Sequence, residues 1–205
     1  MKNKTKLIII IVAIIAIIAG GVLITTMYIT KDEPIEQISD SEKFKSEYDG
    51  VKEDNIFVYK SLSDINKILE SGTGVVYLGF PECPWCQKYV VYLEEVAEEV
   101  GINKIYYNDI LDDRADNSKE YQKTVELLDN YLLLDDEGNK RVFVPEIVVV
   151  KNGEIIGHDN ESSVVTEEDG TPNEYWTDKK VSKLKSKLTK LMNEVKTNTC
   201  TDCNE

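Results

Sequence analysis

The sequence predicts an α/β fold, a three-layer sandwich with a mixed central sheet and helices on both faces, preceded by an N-terminal transmembrane helix. Three observations carry this reading. An uncharged and strongly apolar run opens the chain from Leu7 to Ile29. Strand-like and helix-like segments alternate from Ile56 onward. Near the end of that series a strand meets Asn152-Gly153, the strongest short signal for a hairpin.

A helix over residues 7–29, at ~1.5 Å per residue, crosses a hydrocarbon core of roughly 30 Å. Lys2, Lys4 and Lys6 precede it, whereas Lys31, Asp32 and Glu33 follow. The positive-inside bias therefore makes residues 1–6 a cytoplasmic stub and exports everything after Thr30, giving a single-pass protein of the cell membrane. A cleaved signal peptide is the other reading. Its apolar core is ordinarily ~7–15 residues with small residues after it, and here Ala16 and Ala19 lie inside the run.

Hydrophobic residues make up 41% of the 205, enough for one compact domain and extensions. The net charge is −14. Residues 1–31 hold four lysines and no acid, which leaves 20 basic against 38 acidic residues, a net −18, for the exported part. Such a surface repels phosphate backbones and anionic lipid, so nucleic acid is excluded as a partner. Solubility alone accounts for the charge.

Residues 30–55 read as a linker with one short helix, in which Phe44 and Tyr48 share a face and Gly50 marks the stop. The folded domain is expected over 56–196. Ile56–Tyr59 reads as a strand, and Ser61 or Ser63 caps a helix carrying Leu62, Ile65, Ile68 and Leu69. Gly74–Phe80 is a continuous apolar run of the kind buried on both faces. The helix from Pro84 to Val100 has Val90, Leu93, Val96, Ala97 and Val100 inward and Gly101 as its stop. Lys104–Asn108 is the next strand, and Ser118 caps a helix with Tyr121, Val125, Leu128 and Leu132 on one stripe. Val142–Val150 and Glu154–Gly157 form the hairpin, residues 158–176 a polar loop, and 178–195 a final helix bearing Val181, Leu184, Leu188, Leu191 and Val195. The right-handed crossover rule places the early strands parallel, and the hairpin adds antiparallel ones.

The chemistry concentrates at Phe80-Pro81-Glu82-Cys83-Pro84-Trp85-Cys86. Pro84 suits the first helical position, where its missing N–H costs nothing. Cys83 then caps the helix, with unpaired backbone N–H groups and the positive end of the helix dipole near its sulfur. That setting favours thiolate, the attacking species. Cys86 stands one turn inward on the same face, positioned to resolve a mixed disulfide. A bridge over two intervening residues constrains the chain little, which argues against a staple. Zinc would need two more ligands, and more than a hundred residues separate this pair from Cys200 and Cys203, against a usual gap of roughly 15–20. No metal and no organic cofactor is expected.

Tyr77-Leu78-Gly79-Phe80-Pro81-Glu82-Cys83-Pro84-Trp85-Cys86 followed by a helix, with Val144-Pro145-Glu146 entering a hairpin, resembles the thioredoxin superfamily over roughly residues 56–195. The anchor, the Phe44–Tyr48 helix and the Cys-Pro-Trp-Cys site also resemble membrane-associated thioredoxin-like proteins of Gram-positive bacteria, among them the bacteriocin transport accessory proteins. The resemblance implies a cis Pro145 facing the dithiol and a Val144 backbone that pairs with a substrate chain like an added strand; from the residues alone a strand-start proline is the other reading of Pro145, and its place in the order favours cis. This sequence departs from the family in three places. Tyr77 stands where thioredoxins proper carry a buried acid, Glu82 where they have Trp, and Pro84-Trp85 where they have Gly-Pro. A carboxylate at Glu82 opposes the helix dipole and disfavours thiolate.

The expected activity is that of a membrane-tethered thiol–disulfide oxidoreductase. Cys83 attacks, Cys86 resolves, and Pro84, Trp85, Val144 and Pro145 shape the substrate groove. Its partners are thiols and disulfides of exported proteins and a redox partner in or outside the membrane. Trp85 either packs on the substrate or shields the sulfurs. The tail 197–205 carries a further pair, Cys200 and Cys203, which is either a small local disulfide or a relay that exchanges with Cys83. His158, the only histidine, is expected at the surface with no catalytic part. The competing reading is a thioredoxin-fold accessory module that holds a secreted peptide or export complex, with catalysis secondary.

Overall fold

The structure, a computed structural model, describes residues 38–165 and 170–196. The predicted anchor at 7–29 and the tail with Cys200 and Cys203 lie outside the described residues. Among the described residues no helix is long and apolar enough to cross a membrane.

The elements are, in chain order, α1 (Asp40–Glu47), β1 (Phe57–Tyr59), α2 (Leu62–Ser71), β2 (Gly74–Gly79), α3 (Pro84–Val100) and β3 (Ile105–Asp109). There follow α4 (Leu111–Ala115), α5 (Lys119–Leu127), β4 (Leu133–Leu134), β5 (Lys140–Arg141), β6 (Glu146–Lys151) and β7 (Glu154–Asp159). A 3₁₀ turn (Glu161–Val164), α6 (Pro172–Tyr175) and α7 (Asp178–Lys196) complete the series. The main sheet has the order β1-β3-β2-β6-β7. β1, β3 and β2 run parallel, while β6 and β7 are antiparallel additions. The outcome is the mixed α/β sheet that the alternation of segments predicted.

Side chains alternate across β2, and this divides the core in two. Val75 and Tyr77 join α3 and α7 on one face; Val76 and Leu78 join α2 and α5 on the other. Local signals set the boundaries. Ser39 and Glu42 form a reciprocal capping box that starts α1. Ser61 caps α2 and Ser118 caps α5. Gly101 ends α3 in the left-handed region, at φ 86°. Asn152 (φ 53°) and Gly153 (φ 78°) make the turn between β6 and β7, and a Cβ on Gly153 would run into the Glu70 carbonyl.

Several expectations need correction. Residues 39–55 are not a spacer: the compact unit begins at Ser39, because Phe44 stacks on Phe57 at 3.9 Å and on Tyr48 at 4.4 Å inside the core. The helix after Ser118 stops at Leu127, where Asp129 and Asn130 are poor helix formers, and Leu128 and Leu132 are buried beyond it. The length between β3 and β6 builds α4 and the β4–β5 ribbon, whose turn Asp135 caps by accepting from the Glu137 and Asn139 N–H groups. The strand expected from Val142 starts only at Glu146, since Pro145 has no N–H to give a ladder. The 158–176 loop contains the end of β7, the 3₁₀ turn and α6. On α7, Met192 is buried and Leu191 only partly so.

Candidate active site

The buried strand β2 delivers the chain to a tight turn, and α3 starts immediately after it. Cys83 is the N-cap residue of α3 and Pro84 its first residue. The Cys83 N–H donates to the Phe80 carbonyl at 3.2 Å, and the Cys83 sulfur accepts the Cys86 backbone N–H at 3.1 Å. Both thiols are free. Cys83 keeps 7% of its surface exposed, Cys86 none.

The two sulfurs differ sharply in acidity. The Cys86 thiol donates to the Cys83 sulfur, the backbone N–H groups of Cys86 and Trp85 point at it, and the Arg114 guanidinium stands near. Together these outweigh burial and bring Cys83 down to about 7 from an ordinary 9.0. Cys86 goes the other way. Burial, then the hydrogen bond it gives Cys83, pushes its thiol well above the usual range. Glu82 is exposed and does not prevent the lowering of Cys83.

A cleft of about 440 Å³ opens at Cys83, walled by Phe80, Pro84, Arg114, Arg141, Phe143 and Val144, with Glu82, Asp135 and Asp136 also on it. Arg114 was not identified from the sequence. It comes from α4, lies 4.9 Å over the Phe80 ring and donates to the Val142 carbonyl at 3.4 Å. An arginine thirty residues downstream carries no local mark of such a position; the only sequence signal was the unexplained length after Asn108. Behind Cys86 the wall is aromatic: Tyr77, Tyr89 and Tyr107 belong to its cluster, and the Tyr48 and Tyr107 hydroxyls share a hydrogen bond of 3.1 Å.

Of the remaining sequence-identified residues, Val144 lines the cleft, and the Val144–Pro145 peptide is cis with Pro145 buried. Trp85 is half-buried and meets Tyr175 edge-on at 5.2 Å, so it has a partner within the fold. The structure does not describe Cys200 and Cys203.

His158 is not simply a surface residue. Its Nδ1 lies 3.0 Å from Glu146 Oε1, and Glu146, directly after Pro145, is fully buried. Burial raises the Glu146 carboxyl from 4.5 to about 7, against the opposing pull of His158. Among the described residues no group of acidic, histidine and cysteine side chains is placed to hold a metal ion.

The fold and the site together define an α/β protein that carries an asymmetric dithiol at the N-terminus of a helix. No protein-family model matches the chain, and comparison with the curated proteins finds no match.

Proposed function

We propose that this chain is a thiol–disulfide oxidoreductase of thioredoxin type, held at the membrane by residues 7–29 and acting outside the cytoplasm on exported proteins. The observation that carries the reading is the pairing of a helix-capping Cys83, lowered to about 7 and open to a cleft, with a buried Cys86 one turn below. The mixed sheet and its flanking helices are compatible with a thioredoxin-like fold. The location rests on the apolar run and its flanking lysines.

In the reductive direction the Cys83 thiolate attacks one sulfur of a substrate disulfide, and the other sulfur leaves as a thiolate. Cys86 loses its proton and attacks the Cys83 sulfur. The mixed disulfide breaks, the substrate leaves as a dithiol, and the protein holds the Cys83–Cys86 disulfide. Run backward, the same steps oxidise a substrate. Val144 and Pro84 border the approach, and a redox partner in or outside the membrane resets the pair. The exchange uses no cofactor or metal.

Replacement of Cys86 by Ser tests this. The variant is expected to accumulate mixed disulfides with exported proteins through Cys83, visible on non-reducing gels and lost when Cys83 is also Ser. Client capture that survives removal of both thiols would contradict the proposal and favour a binding module. The reduction potential of the couple then separates reductant from oxidant.

A further inference from the structure

Tyr77 lies in the middle of β2 and is fully buried, yet its hydroxyl has no hydrogen-bond partner among the described residues. A buried polar group left unpaired is destabilising and calls for a reason. The position of the hydroxyl is defined from two sides. A Cβ on Gly79 would sit 2.6 Å from it, so only glycine at 79 leaves room for the ring to point this way. On the other side is the Cys86 sulfur, which the hydroxyl approaches without closing a hydrogen bond of good geometry; the Phe80 N–H and the Tyr77 hydroxyl are the groups that favour its thiolate.

The other groups facing Cys86 are already engaged. Tyr48, just past α1, and Tyr107, on β3, hydrogen-bond to each other. Cys83 is occupied by the helix N–H groups, and Arg114, from α4, by the Phe80 ring and the Val142 carbonyl. Asp109, whose charge reaches Tyr48 and Tyr107, is exposed at the end of β3. Tyr77 is thus the uncommitted donor beside a sulfur that must become an anion.

We infer that the Tyr77 hydroxyl receives the Cys86 thiolate: unpaired while Cys86 is a thiol, it donates to the sulfur once the proton has left, and so holds the attacking form through the resolving step. The inference rests on the proposed exchange at Cys83 and Cys86. In that step Cys86 gives its proton to solvent, its thiolate bonds to the Cys83 sulfur, and the substrate sulfur leaves as a thiolate. Tyr77 keeps its own proton throughout.

Tyr77→Phe removes the hydroxyl and little else. The reduced full-length chain with Cys200 and Cys203 replaced by Ser, which keeps only the Cys83–Cys86 pair, is mixed with excess dithiobis(nitrobenzoate), and thionitrobenzoate release is followed through neutral pH. The first release reports Cys83 and is expected to be unchanged. The second reports Cys86 and is expected to slow about three- to tenfold. Loss of a hydrogen bond to a charged group lowers the thiolate fraction about ten- to a hundredfold, and a more basic thiolate recovers roughly half of that on a logarithmic scale. Its pH midpoint moves upward, and the melting temperature of the dithiol form does not fall, because an unpaired buried hydroxyl has been removed. Gly79→Ala, which displaces the hydroxyl, slows the second release as well. A normal first release with an unaltered second overturns the role of Tyr77 alone. Equal slowing of both releases with a lowered melting temperature also overturns it, by showing that the hydroxyl serves the fold. Failure of the parent chain, with Tyr77 intact and Cys200 and Cys203 replaced by Ser, to give any first release overturns instead the exchange on which the inference rests.

Discussion

Cys83 and Cys86 are three residues apart on one helix and have the same side chain, but their surroundings drive them in opposite directions. At the mouth of α3, the hydrogen bond from the Cys86 thiol, the backbone N–H groups of Cys86 and Trp85, and Arg114 favour the anion, and Cys83 falls to about 7. One turn inward the helix N–H groups are spent on its own carbonyls, and Cys86 meets tyrosine rings and rises. Glu146 acts as a control for this comparison. It is as buried as Cys86 and has no helix terminus to face, and it too rises, to about 7 from 4.5. Burial alone therefore raises an acid here; Cys83 is low because the hydrogen bond from the Cys86 thiol, the N–H groups at the helix end and Arg114 together outweigh it.

The largest expected effect comes from removing the sulfur at the helix mouth. In a chain with Cys200 and Cys203 replaced by Ser, Cys83→Ser should reduce thiol attack on a small disulfide to background, although Cys86 is still present, while Cys86→Ser should retain the first attack at near the parent rate. Comparable residual attack in both variants would erase the distinction between the two positions.

Opening the inner wall comes next. Phe44 stacks on Tyr48 and Phe57 and meets Tyr107 edge-on at 4.9 Å, so it supports the tyrosines around Cys86. Phe44→Ala should cost about 3–5 kcal/mol in urea unfolding and make Cys86 reactive to alkylation alongside Cys83. A loss below about 1 kcal/mol would mean that α1 is peripheral to the core.

Glu146→Gln tests the control. The unfolded carboxyl titrates near 4.5 and the folded one near 7, so between these values the native state binds the extra proton and stability declines as pH rises. The wild-type protein should lose about 3 kcal/mol across this window. The variant should show a flatter profile and a higher melting temperature above neutrality. A wild-type stability that rises with pH through this range would show instead that pairing with His158 dominates burial.

The smallest effect concerns the cation. Arg114→Met should raise the Cys83 pKa by about half a unit, since a half-buried guanidinium is partly screened. The midpoint of its alkylation rate against pH would show this. A shift of two units or more would make Arg114, and not the hydrogen bonds from Cys86 and the helix end, the main cause.

The features of the site carried by local sequence were legible; those supplied by tertiary contact were not. Pro84 after Cys83 marks the helix start, Gly101 its stop and Asn152-Gly153 the hairpin, because each depends on its own backbone conformation. The bounds of α3 followed from these marks. Arg114 and Glu146 could not be read this way. Arg114 reaches Cys83 only because α4 occupies length with no periodic pattern, and Glu146 has the local context of a surface acid until the sheet closes over it. Phe44 and Tyr48 were visible as a pair on one face, but a polar, acidic neighbourhood disguised the fact that the face is buried.

The most direct test of the account is the pH dependence of alkylation at each cysteine of the reduced wild-type chain, resolved by mass spectrometry of the peptides. Cys83 should react with a midpoint near 7 and Cys86 should stay nearly inert across the same range. Two thiols of equal reactivity titrating together near 9 would contradict it.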